Sequence, residues 1–293
     1  MKKTIRFLAF VIVVLACLLV LGKYREELTV WWENAEFDIA DIAAEALEEA
    51  KESVELNSGN YDIDEATMFS EEHPIWEGDM DKRQIVGATE LPDALRITVS
   101  GCGLSVKESA DDSIYIEGSG NYRMQGYVEE NTLILSMVSK GELTKDMESA
   151  KVVLYLPKDW NYFDASITVG AGSVDVDTLS ATTIAAEVGA GSLVMHNANT
   201  SDAKLSVGAG NLEYNGSVGQ ALEATVTAGM LDMSLEGDAD DFNYEVNKIA
   251  GVIEIGDVVM KDKELSTEIN NGASKTAGLQ CTIGKIELSF TPM

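Results

Sequence analysis

Acidic residues recur in this chain at a fixed place in a repeating unit. Asp175, Glu213, Asp232 and Glu254 each stand three residues after a glycine, namely Gly172, Gly210, Gly229 and Gly251. Carboxylates stacked in register have two chemical uses, as oxygen ligands for a hard cation such as Ca²⁺ or as the acid and base of a polysaccharide-cutting site. Apolar residues flank every one of them, and that alternation is also the simplest way to keep one strand face wet and discourage edge aggregation. A solvated face is the expectation. Glu213, Asp232 and Glu254 are kept as candidates for weak Ca²⁺ binding, and no catalytic residue or cofactor is assigned.

Little else in the chain offers reactive chemistry. The chain has two histidines, His73 and His196, too few for a Ser-His-Asp or zinc arrangement to draw on. His196 follows an inward-facing Met195 and reads as a turn residue. Of the three cysteines, Cys17 lies in an apolar run, Cys102 at a glycine corner and Cys281 in an apolar column. The last two belong to coils several rungs apart, beyond disulfide reach, so free thiols are expected.

The elements that must carry these residues follow from the repeat itself. Val169-Gly-Ala-Gly172, Val188-Gly-Ala-Gly191, Val207-Gly-Ala-Gly210 and Val226-Thr-Ala-Gly229 close on glycines 19 residues apart. Two further copies end at Gly251 and Gly284, after spacings of 22 and 33 residues whose extra length is expected in surface loops. Two and four residues after the glycine the pairs Val174/Val176, Leu193/Met195, Leu212/Tyr214, Leu231/Met233, Ile253/Ile255 and Ile286/Leu288 are all apolar. Before it, pairs such as Ile167/Val169 and Leu205/Val207 flank polar Thr168 and Ser206. Period-two alternation on both sides of a glycine means strand, corner, strand.

Such a unit cannot bury its apolar face alone, but stacking at about 4.8 Å sets each apolar column over the next. The fold class expected is mainly β: a parallel β-solenoid of 19-residue coils. Gly-Ala-Gly suits a corner packed under its neighbour, and it does not open a helix as a phosphate loop would. Lys248 interrupts an inward column, and a bulge releasing its ammonium to water is expected there. Strands near 96–106, 113–117, 133–137 and 151–156 lack the period and are expected to form a less regular N-terminal cap, with residues 286–290 closing the other end.

The segments Ile97-Thr-Val-Ser-Gly-Cys-Gly-Leu-Ser-Val106 and Val152-Val-Leu-Tyr-Leu-Pro-Lys158, with the glycine-cornered coils, resemble a bacterial adhesin-type domain family of β-strand repeats whose function is otherwise unknown. The resemblance covers residues 85–290. It implies an envelope-exposed β-solenoid, often tethered to a membrane.

The amino terminus points the same way. Lys2, Lys3 and Arg6 precede an uncharged apolar run over residues 7–22, long enough with its flanks to cross a bilayer, and the positive end belongs in the cytoplasm. Cleavage after Val20-Leu-Gly22, or lipidation at Val14-Leu-Ala-Cys17, is disfavoured because the chain stays apolar through both. Residues 1–25 are therefore expected as cytoplasmic tail and single-pass anchor, 26–82 as an acidic helical stalk and linker, and 83–293 as the β domain. In the stalk, Ala35, Ile39, Ile42, Ala43, Ala46, Ala50 and Val54 fall at helical spacing, a thin stripe that could also self-associate.

A formal net charge of −29 excludes nucleic acid and anionic lipid surfaces as partners. The expected function is a non-catalytic, membrane-tethered extracytoplasmic module that binds an envelope protein or glycan, or scaffolds. An envelope-stress regulator is the alternative, and a polysaccharide-acting enzyme ranks last because the outward columns are acidic and small.

Overall fold

The structure is a computed structural model and describes residues 68–140, 150–260 and 265–292. The anchor and the stalk helix lie outside the described residues. Among the described residues no helix is long and apolar enough to cross a membrane.

The chain opens with β1 (Trp76–Glu77), β2 (Met80–Val86), β3 (Ala94–Ser100), β4 (Cys102–Glu108), β5 (Ile114–Ser119), β6 (Tyr122–Glu129), β7 (Thr132–Ser139) and β8 (Lys151–Leu156). The regular coils are β9 (Asn161–Val169), β10 (Gly172–Val176), β11 (Leu179–Val188), β12 (Ser192–Val207), β13 (Asn211–Val226) and β14 (Met230–Glu236). A 3-10 turn at Ala239–Asp241 then precedes β15 (Phe242–Lys248), β16 (Val252–Ile255), β17 (Val258–Met260), β18 (Leu265–Ile269), β19 (Lys275–Cys281) and β20 (Lys285–Thr291).

Strands before and after each glycine corner form two faces of one continuous mixed sheet. The face before the corner runs β1, β6, β7, β3, β9, β11, β12, β13, β19, β15, β18. The face after it runs β2, β5, β8, β4, β10, β12, β13, β14, β20, β16, β17. The central pairings are parallel and the outermost antiparallel. The long β12 and β13 contribute to both faces, bending where the register shifts between Met195 and Ala198.

The predicted columns hold. Val174, Leu193, Leu212, Leu231, Ile286 and Ile253 are neighbours in register and all buried, as are Val169, Val188, Val207, Val226, Cys281 and Lys248. Each buried Leu or Val contributes about 1.5–3 kcal/mol, and every rung adds several such side chains. The ladder continues through the corners, where the amides of Gly189 and Ala190 donate to Val169 and Gly170 at 2.8 and 2.7 Å.

Stacking order departs from chain order at both ends. Strands β3 and β4, the first coil, lie between β7/β8 and β9/β10. Likewise β19 and β20, the last coil, lie between β13/β14 and β15/β16. Residues 286–290 therefore do not close the end of the stack. Four strands expected in an irregular cap, β3, β4, β7 and β8, are regular parallel rungs instead. The caps are antiparallel: β1, β2, β5 and β6 at one end and β17 and β18 at the other. The long insertion before Gly284 builds that second cap, and the short one before Gly251 contains the 3-10 turn.

Two local expectations change. No bulge forms at Lys248, since β15 stays in register with β19 from Phe242 to Lys248. The lysine is 5% exposed and its Nζ donates to the carbonyl of Gly251 at 3.1 Å, so its stem fills the column while its own corner receives the ammonium. Upstream, part of the stretch read as linker is packed: the buried Gln125 amide accepts from Ser70 N at 2.8 Å and donates to the carbonyls of Ser70 and His73 at 2.7 and 2.6 Å.

Candidate functional site

The carboxylates predicted to stack do share one outward row, in the order Asp175, Val194, Glu213, Asp232, Glu287, Glu254. Glu213 and Asp232 are neighbours. Glu254 is not beside Asp232, because the inserted last coil places Glu287 between them. The same insertion brings Lys285, whose Nζ lies 2.9 Å from Glu254 and 2.7 Å from Glu287. Burial opposes the charge on Lys285, but the hydrogen bonds it donates to Glu287 and Glu254 outweigh it and raise the ammonium's pKa. The pKa of Asp232 is raised from its ordinary value, first by partial desolvation and then by the Glu287 and Glu213 charges. Among the described residues no three His, Cys, Asp or Glu side chains are grouped to hold a metal ion. The three Ca²⁺ candidates thus form no cage: they project from one flat row, and a lysine already neutralises its far end.

The remaining reactive types are likewise committed to structure. Cys102 and Cys281 are free and buried, and burial pushes their thiols up to about 12 and about 11, which suppresses the nucleophilic thiolate. His196 Nε2 sits 3.3 Å from Asp175 across one rung, at an exposed position. The ring of His73 stacks on Tyr127 with centroids 3.7 Å apart.

The recess that does have the form of a site lies at the N-terminal cap. Strand β2 pairs with β5 through two register shifts, between Met80 and Arg83 and between Gln84 and Val86. Strict alternation would send successive side chains to opposite faces, but bulges re-aim them. As a result four consecutive residues, Arg83, Gln84, Ile85 and Val86, line a single recess of about 380 Å³ together with Trp76 of β1, Tyr127 and Val128 of β6, and Glu90.

Glycine at 126 shapes the floor. A Cβ there would come within 3.2 Å of the Trp76 ring and 3.4 Å of Ile85 Cδ1, so the bare backbone lets the indole lie against β6. The Arg83 guanidinium stands 5.4 Å from the Trp76 ring centroid, a cation–π contact that orients both. Nearby, Lys82 Nζ lies 3.7 Å over Tyr155, and the Arg123 guanidinium 5.1 Å over Phe69. Sequence pattern alone did not reveal this site, because a twice-bulged edge strand shows no alternation. The only signal was the closeness of Trp76, Lys82 and Arg83 in an otherwise acidic chain.

The model of one domain family, Toastrack DUF4097, matches residues 93–290, more than half of the chain. The chain belongs to the Toastrack DUF4097 family. Among solved structures it is similar to a putative cell adhesion protein from Clostridium sporogenes, at 9% identity over 72% of this chain and 99% of that one, with a TM-score of 0.38. It is also similar to a putative adhesin from Bacteroides fragilis, at 14% identity over 73% and 97% of the two chains, TM-score 0.37. A third, a putative lipid binding protein from Parabacteroides distasonis, matches at 11% identity over 73% and 96%, TM-score 0.32. No curated protein matches the chain. The Toastrack match begins after β1 and β2, so Trp76 and residues 83–86 lie outside the matched segment.

Proposed function

We propose that the protein is a non-catalytic binding module of the cell envelope, tethered through the apolar run at residues 7–22 with its β domain outside the cytoplasm. The observation that carries this reading is the recess at the N-terminal cap. It is lined by Trp76, Ile85, Val86, Tyr127 and Val128 together with Arg83, Gln84 and Glu90, and Glu90 is the one carboxylate in that lining, which holds no histidine, cysteine or serine. The basic residues before the apolar run support the envelope placement.

Two measurements test the reading. Purified full chain, incubated with isolated envelope fractions of the producing cells, should bind saturably and without chemical change to them. Protease added to intact, wall-stripped cells should cleave the β domain from the cells. Absence of saturable binding would remove the binding role, and complete protection of the chain in intact cells would remove the topology.

A further inference from the structure

The recess has more chemistry than a generic binding role requires, and its composition selects a ligand. Its apolar lining is Trp76, Ile85, Val86 and Val128, with the Tyr127 ring fixed by its stack on His73. Arg83, Gln84 and Glu90 share that lining, and among the described residues none of the three makes a side-chain hydrogen bond or ion pair inside the protein. The lining therefore offers donors from the guanidinium, a donor and an acceptor from the amide, and acceptors from the carboxylate, beside apolar and aromatic side chains. One positive and one negative side chain leave the lining with no net charge. A ligand that fits has hydroxyl or amide groups at its edges, C–H faces that pack on aromatic rings, and no charge.

We propose that this recess binds a neutral oligosaccharide. Resting on the binding-module reading above, this assigns that module its site and ligand class. The volume of about 380 Å³ falls in the range of small-molecule sites, enough for a short stretch of sugar rings rather than a whole polymer. Polyanionic glycans are repelled by the chain's net charge of −29. A peptide strand is the other occupant an exposed sheet edge invites, but its regular hydrogen-bond ladder cannot form along β2, where the two register shifts break the repeat. Hydrogen bonds to the Gln84 and Glu90 side chains, which make none among the described residues, add affinity without breaking an internal one, and the Arg83–Trp76 and His73–Tyr127 contacts limit the ordering cost.

The test uses the full chain in a sugar-free detergent and four uncharged probes: tetrasaccharides of β-1,4-linked N-acetylglucosamine, α-1,4-linked glucose, α-linked mannose and β-1,4-linked galactose. Binding is read by saturation-transfer NMR and by tryptophan emission, with polygalacturonate as the anionic comparison. At least one neutral probe should bind saturably with Kd of about 1 mM or tighter. Trp76→Ala should weaken that binding at least tenfold. Because Trp76 also packs against β6, Gln84→Ala is the second variant: it should weaken binding by about threefold or more while leaving the melting temperature unchanged. Failure of all four probes, tighter binding of polygalacturonate, or equal binding by both variants would overturn the proposal. Retained envelope binding in the face of any of these results would leave the module reading standing and place its ligand elsewhere, whereas loss of envelope binding by the unmodified chain would remove the module itself.

Discussion

At the corners closed by Gly191, Gly210, Gly229 and Gly284, glycine is required by close approach rather than by an unusual φ, whereas Gly172 combines close approach with a φ of +125°. A Cβ on Gly191 would sit 2.6 Å from the carbonyl oxygen of Gly172, and one on Gly210 would strike the carbonyl of Gly191 in the same way. Backbone is the obstacle in both cases, so no rotamer change relieves it. Gly278, in the middle of β19, is different: nothing lies nearer its position than Leu222 O at 4.0 Å. Gly210→Ala should therefore cost about 2–4 kcal/mol and Gly278→Ala less than about 1 kcal/mol, read as shifts in the denaturant midpoint. Equal costs would mean that the corners are not stacked as described. The 19-residue period and the inward columns were legible residue by residue, down to Cys281 in an apolar position. Lys248 was legible as an inward residue but not in its outcome, because sequence does not show that a corner carbonyl waits at the end of the column.

Among elements, the outward row on β10, β12, β13, β14, β20 and β16 ties charge to stacking. Its carboxylates were visible as a pattern, but their order was not, since Glu287 and Lys285 enter between Asp232 and Glu254 only through the placement of β20. The raised pKa of Asp232 has a definite consequence for stability. A carboxyl that holds its proton more tightly when folded costs nothing below the ordinary carboxylate range. The cost grows as pH rises through that range to the folded value, and is complete at neutral pH. Asp232→Asn should thus stabilise the domain at about pH 7 by under ~1 kcal/mol, the group being exposed, and the advantage should shrink towards zero near about pH 4 or below. Thermal melts of both proteins across that interval check it, and an advantage that grew on acidification would reverse the assigned sign. Lys285 acts at the opposite extreme: with its pKa raised, its ion pairs support the fold at neutral pH and are lost as alkaline pH passes the folded value. The twice-bulged β2 was the least legible element of all, since the bulges that create the recess also erase the alternation by which strands are recognised.

For the whole molecule, the decisive feature is that neither the first coil nor the last is terminal in space. All copies carry nearly the same corner and the same apolar columns, so sequence identifies the rungs without saying which stacks on which. The 33-residue spacing before Gly284 was the one hint that the chain leaves the stack and returns. The consequence is energetic. An ordinary solenoid loses its last repeat and keeps the others, because each contacts only its neighbours. Here β19 and β20 are the sole described link between β13/β14 and β15/β16, so removing residues 270–293 strips both faces of a buried rung at once. The shortened chain should fail to give a cooperative melt rather than melt at a slightly lower temperature. In the full chain, amides of β15 and β16 should exchange with the same free energy as those of β11, since they open only with the rung that is held beneath them. Exchange of β15 and β16 at markedly lower free energy, or a truncated chain with an intact sharp transition, would show that the inserted coil is an appendage and not the clasp of the domain.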